Sequence, residues 1–237
     1  MKTVAVGDIH GCLEQLKALI DHVHRRYGHE IKWVFLGDYV DRGLLSMPTV
    51  EFLRRFPGSH DDVTFLMGNH DWMLLQGFDL WPNVYGGGQE TVKSYGGVLP
   101  PEHRKWLEET KLYLEQPLNS GYVRVFVHAG INRDVPMLVQ DREVLLWVRD
   151  EFYAQHGIVD ERYVVHGHTP QPHLRFPQVL ADRCNVDTGC CFGGVLSAAV
   201  FIDNIEWPVE CVNHLGEHAT VQRIGGDFKQ IYIRWRS

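Results

Sequence analysis

Gly37-Asp38-Tyr39-Val40-Asp41-Arg42-Gly43 follows the apolar run Trp33-Val34-Phe35-Leu36 and sets two carboxylates and a guanidinium within five residues. Alone, the heptapeptide reads equally well as a solvated turn. Its construction recurs at four other places, however. Val4-Ala5-Val6 runs into Gly7-Asp8-Ile9-His10-Gly11, and Val63-Thr64-Phe65-Leu66-Met67 runs into Gly68-Asn69-His70-Asp71. Further on, Val123-Arg124-Val125-Phe126-Val127 meets His128-Ala129-Gly130, and Tyr163-Val164-Val165 meets His166-Gly167-His168-Thr169. Each is a strand-like run that stops at a Gly or His carrying metal-ligand chemistry. Open α/β sheets gather ligands at the carboxyl ends of their strands, so the five stretches are expected to converge.

The segments between them read as crossovers. Leu13, Leu16, Ile20, Val23 and Tyr27 alternate at three- and four-residue spacing, one face of a helix that Gly28 stops. Strand Ile31 to Leu36 comes next. A helix from Met47 to Phe56 follows, capped by Ser46, with Pro48 in its first turn and Pro57-Gly58 behind it. Strand Val63 to Met67 completes a β-α-β-α-β unit, whose strands should lie parallel in one sheet. Residues 72–116 read as a mainly helical, irregular insert, departing directly from Asn69 and His70 and placed to cap a site. Its Gly86-Gly87-Gly88 run lacks the Lys-Ser/Thr of a P-loop, which leaves a hinge, a helix entry or a phosphate cradle. Strand Tyr122 to Val127 follows, and Val144 to Phe152 is placed on a short helix. Then come five strand candidates: Tyr163–Val165, Cys184–Val186, Leu196–Ile202, Ala219–Ile224 and Phe228–Trp235. Without repeats or a low-complexity linker, residues 1–237 read as a single domain. The expected architecture is a four-layer α/β/β/α sandwich of two mixed sheets with helices outside.

Bulk numbers narrow the function. A chain of 237 residues with 44% hydrophobic and 22% charged residues is ordinary globular material. A formal charge of -7 speaks against a general nucleic-acid or anionic-membrane binder, so an anionic substrate would need local cations. Neither a basic-then-apolar leader nor a run of the roughly 20 apolar residues of a membrane helix is seen, which points to the cytoplasm. Five Cys, two of them adjacent and none in a C-x-x-C pair, read as reduced core thiols.

Two divalent ions bound side by side need carboxylate, imidazole and carbonyl ligands, with one carboxylate between them. Asp38 sits mid-set and is the choice as bridge. Asp8 and His10, one residue apart at the end of a strand, point to the same side and with Asp38 can hold one ion. Asn69, His128 and His168, again with Asp38, can hold the other.

In their order along the chain, these five motifs resemble the signature of the calcineurin-like metallophosphoesterases, and more narrowly the bacterial and phage form of the phosphoprotein phosphatases. The resemblance runs from residue 7 to residue 169. It implies a dimetal site with Mn the usual ion and Fe, Zn, Ni or Co as others. It implies the same two ligand sets, His70 as catalytic imidazole, Asp41 as its partner and Arg42 as a phosphate ligand. Arg149 matches through Leu146-Trp147-Val148-Arg149, although a salt bridge to Asp150 or Glu151 is its other reading. Asp41 could equally be a turn carboxylate. His166 is left out of the ligand set. Asp71 stands where eukaryotic members usually carry Glu.

The chemistry agrees with these roles. Ester cleavage needs an in-line nucleophile, neutralisation of the phosphoryl oxygens and a proton for the leaving alkoxide. The resemblance implies a metal-bridging hydroxide for the first, Arg42 and Arg149 help with the second, and His70 steadied by Asp41 supplies the third. The expected substrates are phosphoserine and phosphothreonine of proteins, with phosphotyrosine a further one. Asn185-Val186-Asp187-Thr188-Gly189 and Gly193-Gly194 also look like the phage-type phosphatases. The alternative is a symmetrical bis(5'-nucleosyl)-tetraphosphate hydrolase. A non-catalytic binding scaffold would show missing ligands, and none of the six is missing.

Overall fold

The apolar runs are buried on both faces, and this sets the layering. The computed structural model describes residues 1–56, 62–77, 86–154, 160–224 and 227–233. In chain order the elements are β1 (Lys2–Val6), α1 (Leu13–Tyr27), β2 (Ile31–Phe35), α2 (Ser46–Arg55), β3 (Asp62–Phe65), α3 (Asn69–Gln76), α4 (Gly88–Ser94) and α5 (Pro101–Glu108). The chain continues with β4 (Tyr113–Pro117), β5 (Val123–Val127), α6 (Arg142–Trp147), α7 (Asp150–Ala154), β6 (Arg162–His166), β7 (Gln178–Val179) and β8 (Arg183–Asn185). It ends with β9 (Ser197–Ile202), β10 (Glu210–Asn213), β11 (His218–Ile224) and β12 (Asp227–Ile233).

Seven strands form one sheet in the order β12-β11-β10-β9-β1-β2-β3, and five form the other in the order β4-β5-β6-β8-β7. The expected parallel unit is there: β1 pairs with β2, and β2 with β3, all parallel. In the second sheet β5, β6 and β8 are likewise parallel. Successive side chains point to opposite faces of a strand, so each run feeds two layers. Val4, Val6, Trp33 and Phe35 pack with Leu16, Leu19, Val23, Val50 and Leu53 of α1 and α2. Ala5, Val34 and Leu36 face the other sheet and meet Phe126, Val165, Cys184 and Val186. Beyond that sheet Val125, Val127 and Val164 pack with Leu145 and Phe152 of α6 and α7. Helices, sheet, sheet and helices make the four layers, and the six parallel strands deliver their carboxyl ends to one side.

Several local expectations are corrected. Ser46 is no cap: the helix follows Leu45 without a side-chain cap, and the Ser46 hydroxyl instead accepts the Asp41 N–H at 3.1 Å. The segment Val144 to Phe152 is two helices, because Val148 turns extended with ψ 137° and breaks the run. The insert ends in a strand, β4, which pairs antiparallel with β5; its Tyr113-Leu114-Glu115-Gln116-Pro117 has too little alternation to announce an edge strand. Strands β7 and β10 were likewise not foreseen. Pro57-Gly58 and Trp235 lie outside the described residues. Among the described residues no helix is long and apolar enough to cross a membrane. All five cysteines are free thiols, as their spacing suggested.

Candidate metal centre

The loops after β1 and β2 are laced backbone to backbone: Ile9 and His10 N–H donate to the Asp38 carbonyl at 3.1 and 2.8 Å, and Gly43 N–H to the His10 carbonyl at 3.0 Å. The loop after β3 is drawn in as closely. A Cβ on Gly68 would lie 2.1 Å from Asp38 N, so only glycine permits that approach. Asp71 closes the joint, its carboxylate accepting N–H from Asp38 at 2.8 Å, Tyr39 at 3.0 Å and Gly68 at 3.0 Å.

This lacing strains the backbone where the candidate ligands sit. Among the described residues the non-glycine residues with positive φ are His10, Asp38, Asp41, Arg42, His168 and Asn204. All but Asn204 belong to the site foreseen from sequence. Left-handed conformations of this kind cost of order 1–3 kcal/mol each and persist where surrounding structure enforces them, characteristically at functional sites.

The side chains converge on Asp38. One carboxylate oxygen lies 3.3 Å from His10 Nε2, and the other lies 3.5 Å from His128 Nε2 and accepts the His70 N–H at 2.9 Å. A carboxylate with one oxygen toward each imidazole has the disposition of a bridge. Donor atoms of His10, Asp38 and His70 form one cluster able to hold an ion, and those of Asp38, His128 and His168 form a second, each within 4.8 Å.

The tautomers suit the purpose. His10 Nδ1 donates to the Val40 carbonyl at 2.7 Å and His128 Nδ1 to the Leu36 carbonyl at 2.8 Å, so both turn an Nε2 lone pair inward. Asn69 Oδ1 lies 2.9 Å from His128 Nε2, two acceptors with no proton between them. His168 Nδ1 reaches the same oxygen at 3.0 Å, and its buried Nε2 has no partner. Facing acceptors of this kind fit a bound cation. Burial lowers the pKa of His10 and His128, and that of His168 to about 2, leaving neutral rings fit to ligate. For Asp38, burial opposes ionisation, but the imidazoles of His128, His70 and His10 prevail and hold its carboxyl well below the usual range.

Asp8 stands slightly apart. It accepts the His168 N–H at 3.2 Å with both oxygens and belongs to neither ion cluster. Burial first, then the charges of Asp187 and Asp38, push its carboxyl upward. Asp187, which sequence reasoning did not single out, is buried beside it with a pKa raised to about 6, chiefly by burial. Its signal was present, since Asn185-Val186-Asp187 is another strand end delivering a carboxylate.

Beside the candidate metal ligands, His70 Nδ1 lies 2.6 Å from Asp41 Oδ2. Burial would lower the His70 pKa, but Asp38 and the Asp41 hydrogen bond outweigh it and raise the value. Asp41 is fully buried and fixed by Thr91, whose hydroxyl donates to Asp41 Oδ1 at 2.6 Å and accepts the Asp41 N–H at 2.8 Å. Thr91 was missed as well. It sits on α4, and its helix entry explains the glycine run: a Cβ on Gly87 would lie 2.5 Å from Arg42 N, and one on Gly86 3.1 Å from His70 Cε1. The insert thus lies against the candidate catalytic residues. Arg42 donates to the Nε2 atoms of His10 and His70, the latter at 2.9 Å. Arg149 is exposed and makes no ion pair with Asp150 or Glu151 among the described residues, although its charge reaches His168. His166 is buried, its Nδ1 3.0 Å from the Gly167 carbonyl, outside both clusters.

Comparison with known proteins places this geometry. A family model described as calcineurin-like phosphoesterase matches residues 1–198. The bis(5'-nucleosyl)-tetraphosphatase PrpE [asymmetrical] of Geobacillus sp. (strain WCH70) is 30% identical over 230 residues, covering 84% of this chain and 89% of its own. Among solved structures, an inferred diadenosine tetraphosphatase superposes with TM-score 0.65 at 23% identity, over 90% of this chain and 92% of the other. The cold-active protein-tyrosine phosphatase of a psychrophilic Shewanella species gives 0.62 at 17% identity, over 93% and 80%. The chain belongs to the calcineurin-like phosphoesterase family.

Proposed function

We propose that this chain hydrolyses phosphate monoesters, with phosphoserine and phosphothreonine of proteins as the substrate class, and that manganese is its working ion. Asp8, His10 and Asp38 would hold one cation, and Asp38, Asn69, His128 and His168 the other. When bound, two such ions neutralise phosphoryl charge and lower the pKa of water. The protein's own groups do the rest. Arg42 and Arg149 present guanidinium forks to the phosphoryl oxygens. A phosphate taken by Arg42 frees His70 Nε2, which then carries the proton to the departing oxygen while Asp41 keeps Nδ1–H in place.

The His70–Asp41 pair carries the choice of leaving group. An alkoxide such as that of serine cannot depart without a proton, whereas a nucleoside polyphosphate leaves readily without one. A buried, carboxylate-bound imidazole with a raised pKa is machinery for the harder case. A second reading, hydrolysis of dinucleoside tetraphosphates, draws on the Geobacillus relative. That relative's name specifies asymmetrical cleavage, rather than the symmetrical reaction anticipated from sequence.

The test compares parent and His70→Asn, both loaded with Mn, on a phosphoserine peptide, p-nitrophenyl phosphate and diadenosine tetraphosphate. The substitution should slow peptide turnover by about 10²–10⁴-fold and the activated aryl ester far less, with bound metal retained. Turnover of the dinucleotide alone would overturn the monoester reading, and its products, ATP plus AMP or two ADP, would fix the mode of cleavage.

A further inference from the structure

Arg42 carries its charge without a carboxylate partner: among the described residues it forms no ion pair. The Cys191 thiol lies within hydrogen-bonding reach of the guanidinium, whose hydrogen bonds to imidazole run to His10 Nε2 and His70 Nε2. Neither can hold it during turnover, because the first lone pair is a metal ligand and the second must take a proton. A thiol accepts only weakly, so the guanidinium needs a firmer support, and the structure offers an aromatic face. Phe192 is 52% exposed, and the Arg42 guanidinium carbon lies 4.9 Å from its ring centroid.

The ring is presented by a fixed turn. Cys190–Phe192 is one turn of 3-10 helix bracketed by Gly189 and Gly193 at φ 66° and 83°. Gly194 packs so closely that a Cβ there would lie 2.0 Å from the Thr188 carbonyl. The Thr188 hydroxyl in turn donates to the Val195 carbonyl at 2.7 Å. Single exposed apolar side chains are ordinary; one held by a rigid turn under an unpaired guanidinium is not.

Resting on the assignment of Arg42 as a phosphate ligand, we propose that Phe192 is a positioning residue, which holds the guanidinium plane for phosphate while leaving its charge whole. A carboxylate in the same place would also hold Arg42, but it would cancel the charge that recruits the anion. The ring quadrupole attracts the cation without neutralising it.

The experiment uses the Mn-loaded full chain with Phe192→Leu, Phe192→Trp, Arg42→Ala and the Arg42→Ala/Phe192→Leu double variant. KM for p-nitrophenyl phosphate and calorimetric binding of inorganic phosphate are measured, with metal content and thermal midpoint as controls. Phe192→Leu should weaken both KM and phosphate binding by about three- to tenfold, the factor a partly exposed cation–π contact supports. Phe192→Trp should bind phosphate as the parent does, and Phe192→Leu should add nothing once Arg42 is gone. If Arg42→Ala leaves phosphate binding intact, the assignment of Arg42 itself fails. If Arg42→Ala weakens binding but Phe192→Leu does not, or weakens it equally in the double variant, the proposal for Phe192 is overturned and the assignment stands.

Discussion

Asp71→Asn should cost the protein far more than a one-atom exchange suggests. The Asp71 carboxylate is fully buried and spends both oxygens on backbone donors: one oxygen takes Asp38 N–H and Gly68 N–H, the other Tyr39 N–H. An amide keeps one acceptor oxygen. In its better orientation it retains two neutral hydrogen bonds and turns an NH2 against the Tyr39 N–H, which is left unpaired away from water. Losing one hydrogen bond and stranding one buried donor sums to about 2–4 kcal/mol, a large share of an ordinary domain's stability. Burial and the Asp38 charge raise the Asp71 pKa. A raised folded pKa makes the ionised carboxyl the less stabilising form, so in urea unfolding of metal-free protein the parent should lose stability from pH 6 to pH 9 while Asp71→Asn does not, and the loss on substitution is larger at pH 6. The same joint positions Asp38 against Asn69 and His70, so Mn affinity should fall too. A loss below about 1 kcal/mol at pH 6, with m unchanged, would show that the three hydrogen bonds do not hold these loops together.

Thr91→Val removes both contacts to Asp41 at nearly constant volume; peptide turnover should drop about tenfold with metal content unchanged, and equal activity would deny Thr91 a part in fixing the dyad. At the opposite end of α1, Glu210 receives Tyr27 O–H and Arg26, with His218 Nδ1 at 2.8 Å. Burial opposes its ionisation, but Arg26 and Tyr27 prevail and lower its pKa. A depressed carboxylate adds stability above its unfolded pKa that is lost as pH falls through the folded one. Glu210→Gln should therefore flatten the acid side of the thermal-midpoint profile and leave the slope above pH 7 alone; an unchanged acid limb would refute the contribution.

What was legible in the sequence, and what was not, follows from how each residue acts. Asp8, His10, Asp38, Asn69, His128 and His168 could be read because strand ends are marked twice, by the apolar run and by the glycine that frees the turn. All lie in one buried region, five of them close around a shared carboxylate oxygen pair or its neighbouring amide. Thr91 and Asp71 were opaque for the opposite reason. Their work is hydrogen bonding to a neighbour's backbone or carboxylate across a tertiary contact, and a threonine in a helix or an aspartate in its first turn carries no local sign of that. Ser46 shows how local rules mislead: a serine ahead of a helical run is the usual cap, yet here its hydroxyl serves Asp41 N–H and meets Thr91 Oγ1 at 3.0 Å. The strain at Asp41 and Arg42 explains the diversion. A loop forced into left-handed geometry turns its N–H groups inward, away from secondary-structure partners, and buried donors must be paired. The helix start can spare the serine, because Met47 N–H donates to Ser94 Oγ at 3.0 Å, Pro48 has no N–H and Thr49 N–H donates to the Leu45 carbonyl at 2.9 Å. The demand of the site overrides the preference of the helix because Asp41 N–H would otherwise be a poorly paired buried donor, whereas the helix start finds its partner in Ser94.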